Sequence, residues 1–168
     1  MQQTIATQET MDAALQLLDF VATYPNAAII YGASDMILHV HSHASYLSTP
    51  KARSRIAGYF HLTKTNHASD PCFNAPVHIK CKVLKHVVSS AAEAELGALF
   101  QNCKIAEIIR ITLSEMVHPQ QATDVVTDNS AASGIANHNM KLKQSKTMDM
   151  RFFSVRNRVN QKHFNIKW

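Results

Sequence analysis

Apolar residues recur along this chain with two periods, one helical and one extended, and the switches between them mark out the elements. Met11, Ala14, Leu15, Leu18 and Ala22 fall on one helical stripe with Val21 beside it, and Pro25 stops the run; the spacing predicts an N-terminal helix up to Thr23. The apolar run AAIIY (27–31) predicts a short strand. MILHVHSHASYL predicts a longer strand ending near Ser45, and SRIAGYFHL and VHIKCKVL predict two more, separated by the polar stretch from Lys64 to Asn74.

From Ser89 the period becomes helical. Ala92, Leu96, Leu99, Phe100 and Cys103 share a stripe that continues through Ile105, Ile108, Ile109 and Leu113 to His118 and Pro119, enough for one or two helices. ATDVVTDN predicts a short buried strand and SAASGIAN a short helix. TMDMRFFSVRNRV predicts a helix whose stripe is Met148, Phe152, Val155 and Val159, and HFNIKW predicts a closing edge strand. Three strands, helix, strand, two helices and a last strand make an α/β order, with antiparallel hairpins extended by parallel strands into a mixed sheet under helices.

Composition adds the class. The 168 residues are 46% apolar and 17% charged with 4 Gly and 5 Pro, a balance that favours one folded domain over disorder. No run is long and apolar enough to span a membrane and the start lacks a secretory pattern, so the expectation is a soluble, intracellular, cytoplasmic protein without membrane partners. Cys72, Cys81 and Cys103 form neither a CxxC pair nor a disulfide ladder, and free thiols are expected. The net charge is +5, and beyond Asp128 the only acid is Asp149, among Lys141, Lys143, Lys146, Arg151, Arg156, Arg158, Lys162 and Lys167. Such a basic surface suits a polyanion, because cations that meet phosphates release condensed counterions; a solvated basic face is the plainer alternative.

Three acids stand out as candidate chemistry. Ser90-Ala-Ala-Glu93 reads as a capping box, which gives Glu93 a local task, and Glu95 points about 200° away from it, beside the apolar stripe. Asp128 ends the strand Val125-Val126-Thr127, at the strand end where open α/β sheets gather ligands, although Asp128 or Asn129 could equally cap the next helix. Asp149 sits in the first turns of the last long helix, where the dipole, Arg151 or Lys146 could hold it. Three carboxylates beside a basic surface suit Mg²⁺, which takes oxygen ligands and phosphate. His39, His41 and His43 alternate on one strand and share a face, a possible Zn²⁺, Ni²⁺ or Cu²⁺ site.

Taken as a linear set, these segments resemble a known family. SSAAEAELGAL (89–99), TDNSAASG (127–134) and KTMDMRFFSVRNRV (146–159) are similar to segments of copia-type retrotransposon ribonucleases H. HSHASYLS with KARSRIAGYF (41–60) resembles their first hairpin, and the likeness runs in order from about Ile30 to Trp168. LQLLDFVATYPNAAIIY resembles the segment that joins the polymerase part of the same Pol polyprotein to its ribonuclease H part. The resemblance implies residues 1–34 as a tether and 35–168 as a ribonuclease H-like domain with a five-stranded mixed sheet. It further implies cleavage of the RNA strand of RNA/DNA hybrids with two Mg²⁺, Mn²⁺ being able to substitute, and the rest of the reverse transcriptase polyprotein as partner.

By the same resemblance Glu95, Asp128 and Asp149 are catalytic metal ligands, and His43 stands where the family has its first aspartate. Asp35 lies too far upstream to replace it. An imidazole offers one neutral lone pair in place of an anionic carboxylate, so Mg²⁺-dependent activity is expected to be impaired. The alternative is a catalytically silent domain that binds hybrid duplex or a protein. Ser45, Asn129, Arg151 and Arg156 are the candidate contacts to the duplex. Ala75, in place of glycine before Pro76, and Asn157, in place of aspartate, are further departures from the family pattern.

Overall fold

The computed structural model describes residues 7–64, 74–137 and 149–168, with Asp149 described by its backbone alone. Cys72, Met148, Lys141, Lys143 and Lys146, singled out above, lie outside the described residues. The chain divides into two compact units, Met1–Tyr31 and Gly32–Trp168.

The first unit holds helix α1 (Gln8–Thr23), begun by Thr7, whose hydroxyl accepts from the Thr10 amide at 3.3 Å. None of the residues of α1 is buried. Residues 27–31, expected as a strand, join no sheet, and Ile29, Ile30 and Tyr31 are exposed. An apolar run becomes a strand only where a neighbouring strand completes its hydrogen bonds, and the described sheet is built without it.

In the second unit, β1 (Ile37–Thr49), β2 (Arg53–Thr63) and β3 (Pro76–Val83) form an antiparallel meander, and β4 (Thr123–Thr127) and β5 (Phe164–Lys167) add to β1 in parallel. The order β3-β2-β1-β4-β5 is the expected five-stranded mixed sheet. Strand β1 runs four residues past the expected end, because its pairing with β2 shifts between Ser45 and Thr49. There Leu47 adopts a left-handed φ of 52°, which lets the strand kink and resume. The second helix, α2 (Ala91–Glu115), is one continuous element of 25 residues; α3 (Ser130–Ala136) and α4 (Asp149–Asn160) follow.

All of α2, α3 and α4 pack on one face of the sheet. Leu38, Val40, Phe60, Val125, Phe164 and Ile166 meet Leu96, Leu99, Cys103, Ile135, Phe152 and Val155 in a single core. Strand alternation then sends His39, His41, Tyr59, His61 and Asp124 to the opposite face, while His43, at the sheet's end, reaches Glu95 of α2. Helix α4 lies parallel to α2: Arg151 reaches His86 just before α2, and Arg158 reaches Glu107 in its middle.

Close approach of α2 to the sheet depends on Gly58, where a Cβ would stand 2.5 Å from Asn102 Oδ1 and 2.8 Å from the Phe60 ring. The fully buried Asn102 uses this space to donate to Ser42 Oγ at 2.9 Å and to the Ala57 carbonyl at 2.8 Å. It ties β1 to β2 one residue away from His43.

Candidate active site

The site lies where β4 ends and β1 continues. Ser42 is the last residue of β1 paired with β4, opposite Thr127, so His43 and Asp128 emerge side by side. The N-terminal part of α2 delivers Glu95 to the same place. Its start is fixed by Ser90, whose hydroxyl accepts from the Glu93 amide at 3.1 Å. Glu93 does its expected local work with one difference: its carboxylate accepts from the amide and hydroxyl of Ser89, both at 2.6 Å, instead of from the Ser90 amide.

His43 Nδ1 lies 2.9 Å from Asp128 Oδ2 and 3.3 Å from Glu95 Oε1. With acceptors on both sides, that nitrogen carries hydrogen and donates between the two carboxylates. Glu95 is 3% exposed, whereas the His43 and Asp128 side chains are more than half exposed. The buried carboxylate also accepts from the Ala44 amide at 2.5 Å and from the Thr127 hydroxyl at 3.1 Å. Burial pushes the Glu95 carboxyl above its ordinary range and the Asp128 charge adds to this, while the Ala44 amide, His43 and Thr127 oppose it.

His43, Glu95 and Asp128 therefore form one group whose donor atoms lie close enough together to hold a metal ion. Without the Asp149 carboxylate, which lies outside the described residues, they offer too little anionic oxygen by themselves for a pair of Mg²⁺. Among the described residues the group has two carboxylates, one already bonded by an amide and a hydroxyl, and an imidazole lodged between them. Two hard cations need more anionic oxygen than that. A single divalent ion that accepts nitrogen matches the donor set better.

The remaining expected residues are distributed as follows. The Asp149 carboxylate lies outside the described residues; its backbone opens α4 at the same end of the molecule as the start of α2. Asn129 is the N-cap of α3, accepting from the Ala132 amide at 2.9 Å, which was the alternative open to it. Ser45 is half-buried in β1, and Arg151 is half-buried against His86. Arg156 is committed within the fold: its Nε donates to the Ile135 carbonyl at 3.0 Å and its guanidinium stacks 4.0 Å from the Phe152 ring centre. Arg158 pairs with Glu107 and Lys167 with Asp124, so part of the basic C-terminal segment neutralises the protein itself.

The expected trio of His39, His41 and His43 is corrected. His43 turns to the carboxylates, and the third imidazole beside His39 and His41 is His61, directly across on β2. Thr127, the Ala44 amide and Trp168, which lines the pocket with His43 and Asp128, are parts of the site that sequence reasoning missed.

No family model matches the chain, and no curated protein matches it in sequence. Solved structures do. The N-terminal ribonuclease H domain of Rv2228c from Mycobacterium tuberculosis superposes with a TM-score of 0.53 at 9% identity, covering 79% of this chain and 80% of that one. LC11-RNase H1, isolated from compost by a metagenomic approach, gives 0.53 at 13% identity, covering 79% and 81%. The same enzyme in complex with an RNA/DNA hybrid gives 0.52 at 13%, covering 77% and 81%. With the sheet order β3-β2-β1-β4-β5 and its packed helices, the second unit of this chain has the ribonuclease H-like fold.

Proposed function

We propose that the chain is the ribonuclease H domain of a copia-type retrotransposon Pol polyprotein, directed at the RNA strand of RNA/DNA hybrids and weakened in that activity by His43. The observation that carries this reading is the meeting of His43, Glu95 and Asp128 at one point of a ribonuclease H-like fold, from a strand, a helix and a strand end far apart in sequence. The hybrid bound to LC11-RNase H1 supports the substrate class. The first unit, with the residues up to 34, would be the tether to the polymerase part.

In this reading Glu95, Asp128 and Asp149 would be the residues that hold the metal, which would supply a water-derived nucleophile for phosphodiester hydrolysis when bound. The protein's own groups set how well it is held. Ala44 and Thr127 orient the Glu95 carboxylate, and His43 occupies the space between the acids with a hydrogen-bond donor. A cation arriving there must displace that donor, which favours ions that bind imidazole over Mg²⁺.

The test is cleavage of an end-labelled hybrid by the wild-type chain and by His43→Asp. His43→Asp should be faster in Mg²⁺ by ~100-fold or more, the scale on which a lost charge-stabilising group slows an enzyme. Wild-type activity should recover in part with Mn²⁺ or Co²⁺. Equal rates of the two proteins in Mg²⁺ would defeat the assignment of His43. Salt-sensitive binding of hybrid with no cleavage by either protein would favour a silent, duplex-binding domain.

A further inference from the structure

The face of the sheet opposite the helices carries a second cluster that the ribonuclease reading does not use. His39 and His41 stand two residues apart on β1, and His61 on β2 is the direct partner of His39. Ring centres are 5.0 Å apart for His39 and His41, 4.9 Å for His39 and His61 and 5.6 Å for His41 and His61. One donor nitrogen from each ring lies within 4.8 Å of the other two.

Burial makes the arrangement unusual. His61 is fully buried and His39 is 5% exposed, yet histidine is among the more polar side chains to place there. The buried Nδ1 of His39 has no hydrogen-bond partner among the described residues, which leaves a lone pair or an N–H to be satisfied. Burial also lowers the pKa of His39 and His61 to about 4, so near neutral pH both rings are uncharged, the form that coordinates metals.

We propose that His39, His41 and His61 bind one transition-metal ion of the zinc class, a nitrogen-only site that pins β1 to β2 on the face of the sheet opposite α2, α3 and α4. A tetrahedral ion with Zn–N bonds of about 2.0–2.1 Å brings its nitrogens to within about 3.4 Å of one another. The three donors reach that spacing by closing inward through small side-chain rotations, with no change in strand register. Three imidazoles leave a fourth position for water. Mg²⁺ is refused, because the shell offers it no oxygen from the protein. The site is separate from the carboxylate group: it lies further back along β1, and His43 belongs to the other cluster.

The experiment is zinc titration of the full chain after chelator treatment, followed by X-ray absorption at the zinc edge. The tighter equivalent should bind through three imidazole nitrogens at about 2.0–2.1 Å. His61→Phe, which keeps an aromatic ring against its neighbours, should weaken uptake at least ~100-fold, since one of three ligands is gone. The His39, His41 and His61 equivalent should persist in the Glu95→Gln, Asp128→Asn double variant, which removes only zinc held by the carboxylate group, so failure here is distinguishable from failure of the ribonuclease reading. No stoichiometric uptake, a shell dominated by oxygen, or uptake retained by a folded His61→Phe would each overturn the proposal. If His61→Phe does not fold, the ligand count in the wild-type spectrum decides alone.

Discussion

In the proposed reading the chemistry turns on His43, because it places a hydrogen-bond donor between two acids that would otherwise repel. Replacing it with aspartate puts a third carboxylate beside the buried Glu95 without a donor to offset it. We expect His43→Asp to melt below the wild type in chelator and to gain Tm on adding Mg²⁺, while the wild type barely moves, because only the variant has enough anionic oxygen for ligand-linked stabilisation. Thermal denaturation of both proteins with and without Mg²⁺ checks this. An equal response to the ion would show that the imidazole is a bystander.

The sequence signals at this scale were uneven. Separating Glu95 from Glu93 needed only helical geometry and a capping pattern, and the burial of Glu95 follows from it. Joining Glu95 to Asp128 and His43 needed the family resemblance, since no local pattern says that residues so far apart in the chain will meet. His61 was missed because alternation assigns a residue to a face of its own strand and is silent on which strand lies next to it.

Among the elements, strands and helices were mostly legible because binary patterning and end signals agreed. The exceptions have local causes. Residues 27–31 have strand composition but no strand to pair with, and β1 outruns its expected end through an irregularity at Leu47 that no composition rule flags. The junction of β2 with α2 yields a sharp prediction. Gly58→Ala drives a methyl group into Asn102 and Phe60, so either α2 lifts or Asn102 loses its bonds to Ser42 and Ala57. The expected cost is about 2–4 kcal/mol, from overpacking plus a broken buried polar pair, read from urea denaturation. A change under about 0.5 kcal/mol would show that the interface is slack.

Helix α2 also decides which thiols react. Cys103 is buried in the core under it, and burial pushes its pKa up to about 12, while Cys81 is exposed on β3. A thiol-specific alkylating reagent at neutral pH should modify Cys81 in the native protein and Cys103 only once denaturant is added, as read by mass spectrometry of peptides. Prompt native labelling of Cys103 would contradict the packing.

Across the second unit, packing α2, α3 and α4 on one face puts His39 and His61 on the opposite one, and this shapes the response to acid. The ordinary pKa of histidine is near 6.5, and the fold holds His39 and His61 near 4. Between those values the unfolded chain binds protons that the native state refuses, so metal-free stability is full above about pH 6.5 and falls as pH drops toward 4. Chemical denaturation in chelator at stepped pH should show the loss, and it should shrink in His61→Phe, which removes one of the refused protons. A flat profile over that range would mean that the rings are charged in the folded state.

The imidazole held between Asp128 and Glu95 has a consequence for descent. Codons for histidine and aspartate differ at their first base alone, so a single nucleotide change would exchange the imidazole for a carboxylate. The surrounding cradle of Ala44, Thr127 and the start of α2 is intact. In the ribonuclease reading proposed above, the weakened domain therefore stands one base change from a third anionic ligand.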